Sequence, residues 1–188
     1  MNPEARSPWT PPVETAVDTP LVVVTVGTDH HRFDRLVRWM DHWYSRQSGE
    51  VRVVAQTGTA QQSRVFPCQP YLAPAELEEA VDGATAVVSH GGPATIMGVR
   101  SRGLMPIVVA RDSRLDEHVD DHQQRFARWL ASRGEIALAT TEAELCGRLD
   151  AAIADPTTYR LAASDGDPTA RTVERFGVLV DELLERRR

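Results

Sequence analysis

The stretch that most restricts the fold runs from Ala86 to Gly103, where Ala86-Val87-Val88 leads through Ser89-His90-Gly91-Gly92 into a segment able to form a short helix. An apolar run without polar alternation fits a parallel strand buried on both faces, and Gly103 suits the end of the helix. Gly91 and Gly92 allow another group to approach the backbone closely. The first helical N–H groups, around Ala94 and Thr95, lack intrahelical partners and point at whatever occupies the turn. Aligned peptide dipoles leave about half a positive charge there, worth roughly 0.3–1 kcal/mol to an anion and up to about 2 when partly buried. A diphosphate suits such a place. The same turn is also common in α/β proteins that bind nothing there, and a lone histidine such as His90 is more often structural than catalytic.

The rest of the chain repeats this alternation. Leu21 to Val26 is a β-branched run ending at Gly27-Thr28, and Phe33, Leu36, Val37, Met40, Trp43 and Tyr44 recur at helical spacing, which predicts a helix over 31–47. Trp39 lies off that stripe, as an incidental surface aromatic or a partner contact. Strands are expected over Val51 to Ala55, Val65 to Cys68, Pro106 to Val109 and Ile136 to Ala139. Helices are expected over Ala75 to Val81, Val119 to Arg133, from a Thr141/Glu144 capping box to about Ala154, and over 169–185. The pattern specifies an α/β fold: a single doubly wound, Rossmann-like parallel sheet over 21–188, preceded by an arm over 1–20 that holds five of the twelve prolines. Ligands of such sheets sit beyond the carboxyl ends of the strands, where both Gly27-Thr28 and His90-Gly91-Gly92 fall.

At 188 residues, one domain with a substantial core is expected. A net charge of -6 and a pI of about 5.5 argue against a phosphate-tracking surface, so nucleic acid is not an expected partner. No run approaches the roughly 18 apolar residues of a membrane span, and the first residues lack a signal-peptide pattern, which together predict a cytoplasmic protein. Cys68 and Cys146 have neither metal nor disulfide-framework spacing.

Four segments in this order carry a resemblance: Val-Thr-Val-Gly-Thr at 24–28, Ser-His-Gly-Gly-Pro-Ala-Thr-Ile-Met at 89–97, Pro-Ile-Val-Val-Ala-Arg at 106–111 and Glu-His-Val-Asp-Asp-His-Gln at 117–123. Residues 21–185 resemble the C-terminal, donor-binding domain of family 28 glycosyltransferases. The likeness extends to short stand-alone members of bacterial exopolysaccharide or capsule synthesis, which are related to one half of the eukaryotic two-chain N-acetylglucosamine transferase. The resemblance implies half of a GT-B enzyme that transfers a sugar, with inversion, from a nucleoside diphosphate, with UDP preferred, to a lipid-linked saccharide acceptor. No cofactor or metal is implied. By position, Gly91, Gly92, Ala94 and Thr95 would hold the donor diphosphate, with Gly27 and Thr28 as the facing loop and His90 bracing it or donating to a phosphate. Asp121 and Gln123 would bind donor sugar hydroxyls. A membrane-anchored partner subunit would supply the acceptor site and the catalytic base, placing this chain at the inner face of the plasma membrane. Asp29 and His31 read as helix-cap groups rather than as a base. Many relatives carry Gly-Thr and a ribose-binding glutamate three residues later; here Ala94 precedes Thr95 and Gly98 takes the glutamate's place. Gly98 costs about 1 kcal/mol relative to Ala within a helix, which calls for a close packing neighbour or a decayed site.

Competing readings rest on less. His118 and His122 stand four apart, as metal ligands on one helical face would, but without a third ligand in the pattern. Asp165-Gly166-Asp167 imitates a metal-binding Asp-x-Asp yet follows a helix and reads as a turn. A non-catalytic scaffold subunit with a decayed nucleotide site is the alternative from another functional class.

Overall fold

The computed structural model describes residues 19–162 and Val178. Six parallel strands form one sheet: β1 (Leu21–Thr25), β2 (Arg52–Gln56), β3 (Cys68–Gln69), β4 (Ala86–Ser89), β5 (Ile107–Val108) and β6 (Ala137–Leu138), in spatial order β3-β2-β1-β4-β5-β6. The helices are α1 (Asp34–Tyr44), α2 (Pro74–Asp82), α3 (Pro93–Ser101), α4 (His122–Ala131) and α5 (Glu142–Ala154).

Alternation along β1 explains the two-sided wrapping. Val22 and Val24 share one core with Leu36, Met40 and Trp43 of α1 and with Leu145 and Leu149 of α5. Leu21 and Val23 face the other way, toward Ala80 and Val81 of α2 and Val99 of α3. A third cluster, with Ile96, Val108, Ala127 and Leu130, seats α4 beside α3. Fully buried Trp43 donates its indole N–H to Asp150 Oδ1 at 2.8 Å, tying α1 to α5 without leaving a polar atom unpaired.

The elements match the expected order, with shifted limits. α1 starts at Asp34 because Asp29 Oδ1 accepts the His31 backbone N–H at 2.7 Å, holding that segment in a tight turn. The expectation that Asp29 and His31 cap the helix is corrected: the N-cap is Phe33, without a side-chain bond. The helix expected from Val119 starts only at His122, since the backbone of 117–121 is held as loop and Val119 is 75% exposed. Trp39 is covered by the Arg35 guanidinium at 4.7 Å from its ring, so it packs within the chain. β3 is Cys68–Gln69 rather than a strand starting at Val65. The arm over 1–20, except its last two residues, the Asp165-Gly166-Asp167 turn and the helix over 169–185, except helical Val178, lie outside the described residues.

The expected cap of α5 forms on one side only. Thr141 Oγ1 accepts from Glu144 N at 3.2 Å, whereas the Glu144 carboxylate bonds the N–H and hydroxyl of Thr140. Thr141→Ala should therefore lower stability by about 1 kcal/mol, measured by urea denaturation, while Thr141→Ser should be nearly neutral.

Candidate functional site

The strand order reverses direction between β1 and β4, which pair side by side with Thr25 opposite Ser89. Beyond them the chain leaves toward opposite faces of the sheet, so a crevice opens at this switch point. Gly27-Thr28 and His90-Gly91-Gly92 form its two banks. Gln56, from β2, fixes the first bank: its amide N–H donates to Gly27 O at 3.3 Å, and its Oε1 accepts from Leu72 N at 3.1 Å. On the second bank, Gly92 is the N-cap of α3 and Pro93 opens the helix. Proline has no N–H, so the free donors of the first turn are those of Ala94, which is exposed, and Thr95, which is half-buried.

His90 joins the banks. Its ring is 9% exposed and lies where side chains at Gly27 and Gly92 would project: a Cβ at Gly27 would be 2.5 Å from Cε1, and one at Gly92 would be 2.6 Å from Nε2. Both glycines are required by the ring itself, and Gly27 also has φ +77°. The sequence reading, that Gly91 and Gly92 admit an outside group, is corrected: the close neighbours are the chain's own His90 ring at Gly92 and Val108 at Gly91. Burial and the nearby Arg111 charge push the His90 pKa down to about 4. The ring is therefore neutral at pH 7 and acts on a ligand as a hydrogen-bonding group, not as a cation; its Nδ1 is buried without a protein partner. The unfolded chain takes up this proton near pH 6.5 and the folded chain only near 4. Stability should thus be full above pH 6.5 and fall as pH drops toward 4. Urea denaturation at pH 4.5 and 7 should show a smaller difference in His90→Asn than in the unmodified chain.

Arg111, fully buried, holds the first bank to the loop before α4. Nη2 donates to Val26 O at 2.9 Å, and Nη1 donates to His31 O at 2.7 Å and to Glu117 O at 3.1 Å. The guanidinium also stacks 4.9 Å from the Phe33 ring centroid. Beside it, Glu117 pairs with Arg35 at 2.6 Å and accepts the Asp112 backbone N–H at 2.9 Å. In the sequence Arg111 closes the Pro-Ile-Val-Val-Ala-Arg segment without an assigned role, because the carbonyls of Val26 and His31 that hold it lie far away in the chain.

The loop held by Arg111 carries the proposed sugar-binding segment. Its His118 ring lies 5.9 Å from that of His31, next to the Gly27 bank. Asp121 is the N-cap of α4 with an exposed side chain, and Gln123 follows in the first turn with its Oε1 buried and unpartnered. No hydrogen bond, ion pair or ring contact among the described residues joins Asp121 or Gln123 directly to the glycine loops; the connection runs through Glu117 and His118. Gln124, the next residue, lines a groove with Arg35, Asp112, Arg114, Arg128 and Thr140 beyond β5 and β6.

The two-histidine helical face is corrected. His118 is in the loop and His122 starts α4; both turn toward Asp120, with His122 Nδ1 at 2.6 Å and His118 Nδ1 at 3.4 Å from its carboxylate. Asp29, His30 and His31 present ligand-type atoms within 4.8 Å of one another. At Gly98 a Cβ would meet nothing closer than the Arg102 guanidinium at 4.0 Å, so close packing does not explain that glycine.

An all-parallel sheet in this order, with two glycine loops at its switch point, defines a Rossmann-like domain with a crevice at its strand ends. The profile of the glycosyltransferase family 28 C-terminal domain matches residues 21–164, and the chain belongs to that family. Its fold is that of the C-terminal half of GT-B glycosyltransferases. Among solved structures it is similar to CalG4, the calicheamicin glycosyltransferase (15% identity, TM-score 0.56), covering 78% of this chain and 37% of that one. It is also similar to MurG of Acinetobacter baumannii (20% identity, TM-score 0.53; 78% and 44% covered). The spinosyn forosaminyltransferase SpnP matches at 18% identity and TM-score 0.56, with 83% and 40% covered. The chain thus spans less than half the length of these structures. Comparison with curated protein sequences finds no match. Among the described residues no helix is long and apolar enough to cross a membrane.

Proposed function

We propose that this chain is the donor-binding subunit of a two-component inverting glycosyltransferase, moving a sugar from a UDP-sugar to a lipid-linked saccharide acceptor in exopolysaccharide or capsule synthesis. The observation that carries the reading is the free N–H pair of α3 facing the Gly27-Thr28 loop across the switch point, in a family 28 domain. Fixed backbone dipoles at that place stabilise the diphosphate leaving group as its charge develops. Gly27, Thr28, His90, Gly91, Gly92, Ala94 and Thr95 form the diphosphate cradle in this reading, with Asp121 and Gln123 contacting the sugar. The buried, unpartnered Oε1 of Gln123 supports that assignment, since a buried acceptor is costly unless a donor reaches it.

The acceptor site belongs to a membrane-anchored partner, which holds this chain at the cytoplasmic face of the plasma membrane. A scaffold subunit with a decayed nucleotide site is the second reading, favoured by Gly98, whose surroundings leave the place of a ribose-binding side chain empty. Transfer of labelled sugar from UDP-sugars to lipid, assayed with membranes of the parent organism, decides between them. Gln123→Ala should lower transfer at least about 10-fold, the loss of one buried hydrogen bond to substrate. Unchanged transfer would favour the scaffold.

A further inference from the structure

We infer that this chain carries its own general base: His31, a catalytic residue acting through Nε2, with Asp29 as its positioning residue. The inference rests on the donor-domain reading above. Asp29 Oδ1 lies 2.6 Å from His31 Nδ1 and also accepts the His31 backbone N–H at 2.7 Å. Although burial raises the Asp29 pKa, the hydrogen bonds from His31 and the Arg111 charge outweigh it and hold the carboxyl below its ordinary value. An ionised carboxylate only accepts, so Nδ1 carries the proton and the neutral ring keeps its lone pair on Nε2. That nitrogen makes no hydrogen bond with another described residue. The ring is held at its backbone as well, through the bond from Arg111 to His31 O at 2.7 Å.

The dyad directly follows Gly27-Thr28 in the chain, and the Asp29 charge acts on His90 of the facing bank. Its neighbours are already committed. His90 is wedged between glycines, and Glu117 is engaged by Arg35 and the Asp112 N–H. His118 Nδ1 lies 3.4 Å from both the backbone N and the carboxylate of Asp120, a looser pairing than the 2.6 Å between Asp29 and His31. Asp121 is exposed beside Arg125. In the step assigned to His31, the acceptor hydroxyl oxygen bonds to the anomeric carbon while its proton moves to Nε2. The bond from that carbon to the β-phosphate oxygen breaks, and its electron pair leaves with the nucleoside diphosphate. Water in place of the acceptor gives free sugar and the same leaving group.

Water therefore provides the test. The full chain is incubated with UDP-glucose and, separately, UDP-N-acetylglucosamine; UDP release is followed and donor binding is measured by calorimetry. The chain should release UDP slowly. His31→Ala should bind donor as before but release UDP about 100-fold more slowly or worse, and added imidazole should restore part of the rate. Asp29→Ala should lower kcat with KM unchanged, and Asp29→Asn, which still accepts from Nδ1–H, should recover part of the loss. Unchanged release by His31→Ala, a loss that imidazole does not restore, or donor binding without release by the unmodified chain overturns the inference. So does release that a chelator blocks and Mn²⁺ restores, which would make Asp29, His30 and His31 cation ligands. Failure of the unmodified chain to bind either donor defeats the donor-domain reading, and the base with it.

Discussion

Gly27→Ala should destabilise the domain by on the order of 2–5 kcal/mol, adding left-handed backbone strain to forced overpacking. The φ of +77° disfavours any L side chain, and the new Cβ would stand 2.5 Å from the His90 ring, which already lies against Gly92 and cannot retreat that way without moving the α3 bank. Both banks of the crevice are therefore disturbed by one methyl group, and UDP binding should fall at least about 10-fold. Urea denaturation and calorimetry check the two effects. Adding His90→Ala to Gly27→Ala should recover part of the stability, because the clash disappears while the backbone strain remains. A double variant as unstable as the sum of the two singles would mean that the ring and the glycine do not interact as described.

Arg111→Ala should cost about 3–5 kcal/mol, the range for removing one partner from a buried charged network. The side chain is 0% exposed, and its loss would strip donors from Val26 O, His31 O and Glu117 O at once while leaving Asp29 and Glu117 without its charge. Against a typical total stability of about 5–15 kcal/mol, that loss leaves a marginal fold. Arg111→Lys keeps the charge but not the planar fork, so it cannot serve two loops in the same geometry. Its stability should lie between the two, with hydrogen exchange faster over 27–32 and 112–118 than in the unmodified chain.

The parts of the fold that sequence revealed are those written in short-range pattern. The β1 run with glycine at its end, the α1 stripe and the Ser89 to Gly92 turn each announce themselves locally, and together they locate the switch-point crevice. What stayed hidden depends on residues brought together from far apart. Arg111 is buried because Val26 and His31, 85 and 80 positions away, turn their carbonyls toward it. Asp29 and His31 looked like cap groups because their spacing fits either use; only the fold shows the helix starting later and the imidazole meeting the carboxylate. Val119 reads in the sequence as the start of α4, since composition alone does not tell an apolar loop tip from a buried turn. At Gly98 the sequence marks a departure, and the structure adds that no neighbour requires it.

The central claim, that the switch-point crevice is a UDP-sugar site, is tested most directly by calorimetric titration of UDP into the purified chain, with GDP as control. Saturable binding of UDP is expected, one per chain, tighter than GDP and weakened at least about 10-fold in Gly27→Ala. Equal heats with both nucleotides, or no binding by a chain shown to be folded, would contradict it.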